Sequence, residues 1–190
     1  MPLSGETFPL PAIAHGLETI AHTHGQAFYT GEIARALIAF SQQHGGVMSL
    51  ADLANYRPEW VTPISQNYQG HTVHELPPRG QGIAVLMALG ILEHFDLEDN
   101  ALSTHLQIEA VKLAFVDVYQ HVARPFAVTV EQLLDPVYLK QRADLIDPER
   151  ATDFGAVNPV RGGTVMVTAA DAAGQMISLI QSNYQGFGSG

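Results

Sequence analysis

The sequence predicts an α+β fold, helical first and stranded last, and three observations support it. Helical periodicities fill most of the first 145 residues, interrupted around residues 62–76 by imperfect alternation. A stretch mixing Pro, Asp, Asn and Gly follows at residues 147–163 and reads as an exposed connector. Beyond it the period becomes that of strands, at residues 165–170 and 176–182. Helices segregated from strands suit an α+β or layered fold better than alternating βαβ units.

The elements follow in order. Ile13, Leu17, Ile20 and Ala21 recur at helical spacing over residues 11–24, and Gly25 stands where that helix would stop. A second helix is expected from Thr30 to Gln43, with Ile33, Leu37, Ile38 and Phe40 on one stripe and Gly45-Gly46 ending it. Ser49 is placed to cap a short turn over Leu50 to Asn55. Residues 64–68 and 71–76 flank Gly70 as two short strands. Pro77-Pro78-Arg79-Gly80-Gln81-Gly82 turns the chain into an apolar helix over residues 83–92. The next helix, residues 103–121, has Ser103 as its expected cap and Leu106, Ala110, Leu113 and Ala114 on one face. A further helix is expected across residues 129–145, bent or interrupted at Pro136. In the final pair, Asp171-Ala172-Ala173-Gly174 makes a hairpin turn. Its arms are apolar at nearly every position, the pattern of strands covered on both faces.

Composition excludes several classes. Nine Lys and Arg against nineteen Asp and Glu give a formal charge of −10, which argues against nucleic acid as a partner. Cysteine is absent, so disulfides, thiolate metal sites and a cysteine nucleophile are all excluded. No apolar run approaches the roughly 20 residues needed to span a bilayer, so no membrane span is expected. Met1 to Glu6 contain neither a basic nor an apolar stretch and do not read as a signal peptide. The run Gly186-Phe187-Gly188-Ser189-Gly190 reads as a turn that leads onward, so the sequence is expected to be a piece of a longer chain.

The chemistry concentrates at Arg161-Gly162-Gly163-Thr164-Val165, where the connector meets a strand. A hydroxyl residue preceded by glycine can attack its own preceding carbonyl, here that of Gly163. Glycine lacks Cβ and tolerates the backbone strain this requires. The peptide becomes an ester, water hydrolyses it, and Thr164 keeps a free α-amine. That amine has an ordinary pKa of about 7.7–8.0, suited to accept the hydroxyl proton. A β-branched side chain has few χ1 rotamers, which keeps its oxygen aimed. Taken alone, however, Gly-Gly-Thr also describes an ordinary turn and strand start.

An ordered set of segments makes the junction specific. Ala27-Phe28-Tyr29-Thr30-Gly31-Glu32-Ile33-Ala34, Gly45-Gly46 through Asp52-Leu53-Ala54-Asn55-Tyr56, and Pro63 with Tyr68-Gln69-Gly70 come first. Leu76-Pro77-Pro78 with Gly80 and Gly82, then His105 to Asp117, then Gly162-Gly163-Thr164, Asp171, Gly174 and Phe187-Gly188-Ser189 follow. Along nearly its whole length the chain resembles the γ-glutamyltransferase family of N-terminal-nucleophile hydrolases. The resemblance implies an αββα layered fold, of which this chain would form part. Residues 1–163 would be the later large subunit and residues 164–190 the opening of the small one. It implies cleavage between Gly163 and Thr164, and Thr164 as the nucleophile that takes a γ-glutamyl group from a small-molecule donor of the glutathione type. It also implies, near the end, a hydroxyl residue and an asparagine that bind substrate. Ser182 matches the first by position, and Asn183 stands one residue short of the second. Neither cofactor nor metal is implied. The remainder of the precursor is the implied partner, because the family's carboxylate-gripping arginine lies upstream and its oxyanion glycines downstream. Without that oxyanion hole the 190 residues alone are expected to be inactive.

Three departures point to a divergent branch. Val165 and Met166 replace a threonine and histidine, Val118 stands where arginine is common, and Ala123-Arg124-Pro125 replaces an aspartate-containing turn. An acylase acting on other amides, or a non-catalytic structural module, therefore stands beside the γ-glutamyl reading. Other motifs carry less. His22 with His24, and His71 with His74, lack the helical zinc spacing and a completing carboxylate cluster. The closing Gly-x-Gly-x-Gly lacks the following helix and Lys-Ser/Thr of a phosphate loop. Glu109 and Asp117 share one side of a helix and read as solvated or structurally hydrogen-bonded carboxylates rather than a catalytic pair.

Overall fold

The computed structural model describes residues 3–78, 80–122, 128–155 and 164–182. The chain divides into two compact units, one of residues 1–59 with 162–190 and the other of residues 60–161.

In the first unit, α1 (Pro11–His22), α2 (Gln26–Tyr29), α3 (Glu32–Gln43) and α4 (Leu50–Ala54) form a small helical group. Pro11 opens α1 from the first-turn position, where its missing N–H costs nothing. The expected second helix is α3, begun two residues after Thr30, and the short α2 before it was not expected; the chain turns between them at Gly31. A Cβ there would come within 2.5 Å of the Ala27 Cα, so only glycine admits this close approach. Ser49 caps α4 as expected, in a reciprocal box with Asp52: Ser49 N donates to Asp52 Oδ2 at 2.7 Å, and Asp52 N to Ser49 Oγ at 3.3 Å. Ala27, Ala34 and Ile38 are buried, and Tyr29 stacks on Tyr56 with ring centroids 5.8 Å apart.

The same unit holds β3 (Thr164–Ala170) and β4 (Met176–Ser182), paired antiparallel in register from Thr164 opposite Ser182 to Ala170 opposite Met176. Asp171 builds the turn by accepting from the N–H groups of Ala173 and Gln175, each at 2.9 Å, and Gly174 takes φ +82°. The expectation of cover on both faces is not met among the described residues. Every residue of β4 is exposed, as are Val165, Met166 and Val167 of β3. A run apolar at every position marks a strand destined for the space between two layers, but the hairpin itself supplies neither layer.

The second unit is built around α5 (Gly82–Leu92), an apolar helix packed by β1 (Ile64–Tyr68), β2 (His71–Glu75), α6 (Ala101–His121) and α8 (Pro136–Ala143). Gln69 and Gly70, both at positive φ, close the β1–β2 hairpin. Ile83, Leu86, Met87 and Ile91 are fully buried, and Leu106, Leu113, Leu133 and Leu139 join the core. No helix among the described residues is long and apolar enough to cross a membrane.

One sequence expectation is corrected here and another is met. Asn100, not Ser103, caps α6: its Oδ1 accepts from Ser103 N at 2.8 Å, while Ser103 Oγ accepts from Glu98 N at 2.8 Å. The helical stretch over residues 129–145 is interrupted at Pro136 as expected, into α7 (Val130–Leu133) and α8, because Asp135 caps α8 with Pro136 in its first turn.

Gly90 shows how tightly α5 is enclosed. A Cβ on it would lie 2.5 Å from Leu139 Cδ1 and 3.2 Å from the Gln66 amide, and Leu139 is itself buried. In an open helix Gly→Ala gains about 1 kcal/mol. Here Gly90→Ala is expected to destabilise by about 1–3 kcal/mol, because overpacking outweighs helix propensity. Urea denaturation of the variant beside wild type checks the sign.

Candidate active site

Thr164 is the first residue of β3, and the register sets it directly across from Ser182, the last residue of β4. Two of the sequence-derived candidates are thus brought together as cross-strand partners, whose Cα atoms lie about 4.5–5.5 Å apart in such ladders. The cause is local: a five-residue loop, 171–175, fixes the register, and the apolar arms zip toward their open end. Gly163 and Asn183 lie outside the described residues, as do the closing glycines and the turn at residues 123–125.

Glu109 and Asp117 are both buried, and each has its own cation, which bears out the structural hydrogen-bonded reading. Asp117, 0% exposed, accepts from Arg142 Nε at 2.9 Å and from Arg142 Nη2. Arg142 Nε also donates to the Tyr138 hydroxyl at 3.0 Å, and the guanidinium lies 5.1 Å from that ring's centroid. Burial, and then the Asp117 carboxylate beside it, push the Tyr138 hydroxyl above its ordinary value. For Arg142 burial acts downward, but the Asp117 hydrogen bonds and charge prevail and raise it.

Glu109 faces the opposite task. Its Oε1 accepts from Lys112 Nζ at 2.6 Å and its Oε2 from Thr152 N at 3.1 Å. Lys112 Nζ also donates to Thr152 O at 2.5 Å and lies 5.2 Å from the Phe154 ring centroid. One turn earlier, His105 Nε2 is 2.8 Å from Asp147 O. The segment read from sequence as an exposed connector is therefore held against α6 between Asp147 and Phe154. Burial pushes the Glu109 carboxyl up, but the Lys112 and Thr152 hydrogen bonds, with the Lys112 and His105 charges, together hold it below its ordinary value.

A depressed folded pKa gives stability that is present above the unfolded value, about 4.3, and lost as pH falls through the folded one. Glu109→Gln cannot titrate, so the stability gap between wild type and this variant is expected to narrow below about pH 4.3. Denaturant midpoints at pH 3 and pH 7 measure it.

Among the described residues no group of three or more His, Asp or Glu is gathered to hold a metal ion. A shallow cavity of about 260 Å³, lined by Tyr68, Gln69, Glu93, Phe95 and Asp96 among others, lies at the β1–β2 turn. It contains none of the sequence-derived candidates.

Comparisons with known proteins agree with this architecture. The family model for gamma-glutamyltranspeptidase matches residues 1–190. The glutathione hydrolase-like YwrD proenzyme of Bacillus subtilis (strain 168) is 35% identical over 198 residues, covering 99% of this chain and 37% of the relative. The crystal structure of cephalosporin acylase from Bacillus halodurans superposes with a TM-score of 0.76 at 46% identity, over 92% of this chain and 32% of that one. Gamma-glutamyltranspeptidase from Pseudomonas nitroreducens, solved with L-DON, gives a TM-score of 0.65 at 34% identity, over 78% and 47%. The chain spans about a third of the length of the curated relatives it matches, 37% and 36% for the first two. Mixed helix and strand, the ordered motifs and these matches agree: the chain belongs to the gamma-glutamyltranspeptidase family.

Proposed function

We propose that the complete protein is a self-cleaving γ-glutamyl transferase or hydrolase in which Thr164 is the nucleophile. The observation that supports this most is the junction itself. In a chain of this family, Gly-Gly-Thr falls where β3 begins, with Ser182 in register across from the threonine. In the precursor the Thr164 hydroxyl oxygen bonds to the Gly163 carbonyl carbon. The peptide C–N bond breaks, and the hydroxyl proton passes to the leaving nitrogen. Water then cleaves the ester, leaving a Gly163 carboxylate and a Thr164 with both hydroxyl and α-amine free.

In the mature enzyme that amine takes the hydroxyl proton as Thr164 attacks the γ-amide of a glutathione-type donor. The proton goes to the departing amine, and a γ-glutamyl ester remains. Water or an acceptor amine resolves it. Ser182 and Asn183 help bind the substrate. Residues 1–163 and 164–190 belong to the two product chains, and the bare faces of the β3–β4 hairpin lie between helical layers that the remainder of the protein completes. The 190 residues alone are inactive, lacking the oxyanion donors that often supply the largest catalytic term.

A second reading, an acylase acting on other amides, is favoured by one observation. The match to cephalosporin acylase is 46% identical, against 34% for the gamma-glutamyltranspeptidase structure. The two readings separate on substrate. The protein from its complete reading frame is analysed by intact mass and then assayed on γ-glutamyl anilide and on glutaryl anilide, which lacks the α-amine. A small chain beginning at Thr164 with preference for the γ-glutamyl compound upholds the first reading. The same cleavage with preference for glutaryl moves the protein to the second, and an intact chain removes both.

A further inference from the structure

The register of the last hairpin sorts its residues onto two unlike faces. Strand positions alternate between faces, so the cross-strand pairs at 164 and 182, 166 and 180, and 168 and 178 share one of them. From the open end inward that face runs Thr164–Ser182, Met166–Ile180 and Thr168–Ser178, with Ala170–Met176 beside the turn. It holds every hydroxyl residue of the two strands. The other face carries Val165–Gln181, Val167–Leu179 and Ala169–Ile177, with Gln181 its one polar residue. A face so nearly apolar suits a packed layer, whereas the mixed face carries position 164 at its open end. The rung next to that position is Met166–Ile180, two residues and about 7 Å along the strand. Both residues are apolar, and they are 62% and 65% exposed.

We propose that Met166 and Ile180 are specificity-determining residues: they receive the amine side of the scissile amide and favour apolar amines there, as leaving groups and as acceptors. The inference rests on the reading of Thr164 as nucleophile. On that reading a layer of the complete protein can close over the rest of the mixed face, but not over the end where the donor enters. The two substituents of a carbonyl under attack extend in opposite senses. From position 164 one course runs inward over Met166–Ile180, and the other runs off the open end past Ser182. Charge decides which substituent takes which course. A γ-glutamyl group ends in an ammonium and a carboxylate, and a glutaryl group ends in a carboxylate. Asp171, at the far turn, is the only charged residue from Thr164 to Ser182. A charged acyl end laid over the apolar rung would lose hydration with no countercharge in reach, so the acyl group takes the outward course. The amine side is left over Met166 and Ile180. A flexible thioether beside a branched alkane adapts to varied partners, so the preference is for apolarity and not for one shape.

The test gives the complete protein an equimolar mixture of two donors that share one acyl group, one built on leucinamide and one on serinamide. The acyl group is whichever of γ-glutamyl and glutaryl the protein turns over. Both leaving amines are α-amines of amino-acid amides and differ little in basicity, so the ratio of kcat/KM reads recognition of the side chain. Wild type is expected to consume the leucinamide donor about tenfold faster. Met166→Gln and Ile180→Thr, which keep length or branching but add polarity, are each expected to lower that ratio by about threefold or more. Val165→Thr, on the opposite face, is expected to leave it unchanged. A wild-type ratio near one overturns the proposal, as does a ratio that neither rung variant lowers or that Val165→Thr lowers equally. If a layer of the complete protein covers the rung instead, Met166→Gln lowers the melting temperature and leaves the ratio unmoved, which also overturns it. Should neither rung variant fold, Met166→Ala takes their place, removing surface without adding polarity: a fall of about threefold or more supports the proposal, and an unchanged ratio overturns it. Thr164→Ala keeps the two questions apart. Turnover of neither acyl group, or turnover that survives in Thr164→Ala, defeats the nucleophile reading itself, whereas a ratio near one in a protein that needs Thr164 defeats only the role of Met166 and Ile180.

Discussion

Replacing Thr164 with alanine is expected to leave the complete precursor a single chain and to lower turnover by on the order of 10⁴-fold or more. The size follows from one oxygen serving twice. On the proposed reading it attacks its own peptide in the precursor and the donor amide in the mature enzyme, with no neighbouring group to substitute for it. The fold has little to lose. The position is the first of β3, where the β-propensity difference between threonine and alanine falls within a scale of about 1 kcal/mol. Intact mass, turnover and a melting curve on one preparation therefore separate lost chemistry from lost structure. Thr164→Ser supplies the complementary result. It keeps the hydroxyl but frees χ1, so it is expected to cleave and turn over more slowly, not to stop.

Asp117→Asn is expected to cost about 3–5 kcal/mol of stability, the largest effect of any single change away from the junction. Asp117 is 0% exposed and is the carboxylate to which Arg142 is tied, so neutralising it leaves a guanidinium only 21% exposed with no countercharge. The pair also fastens α8 to α6, while Leu139 on α8 packs in the core. Removing both charges together behaves differently. Asp117→Leu with Arg142→Met leaves no stranded ion, and its cost is expected to be far smaller than that of Asp117→Asn. Denaturant unfolding of wild type, the single variant and the double variant measures this. A double variant as unstable as Asp117→Asn would mean that shape, not charge, is what this site demands.

Much of the secondary structure was legible because its causes are local. Alternation and apolar spacing give β1, β2, α5 and α6 to within a residue or two, and the Asp171–Gly174 turn gives the last hairpin. Boundaries failed where two residues competed for one task. Asn100 and Ser103 can both cap α6, and only the path of the chain at Glu98 decides that Ser103 turns back to it instead. The candidate site divides in the same way. Gly-Gly-Thr is unremarkable by itself, and it gained meaning only from the ordered segments around it. The hold on Thr152 left no trace in sequence, because it joins residues about forty apart through main-chain N–H and C=O groups that every residue but proline possesses. Helical spacing placed Glu109 and Asp117 on one side of α6, but which cation each would meet depended on α8 and on the segment after it.

The bare hairpin has a practical consequence for anyone who produces these 190 residues by themselves. Among the described residues β3 and β4 form a two-stranded sheet, so each presents an unpaired outer edge. Asp171, at the turn, is the only charged residue from Thr164 to Ser182. Edges without charge, proline or bulge are templates on which further strands add, and arms of Val, Met, Ile and Leu favour their stacking. Such a chain would be drawn toward aggregates through its hairpin while its helical core remained well formed, so poor solubility in that setting would say nothing against the stability of the fold.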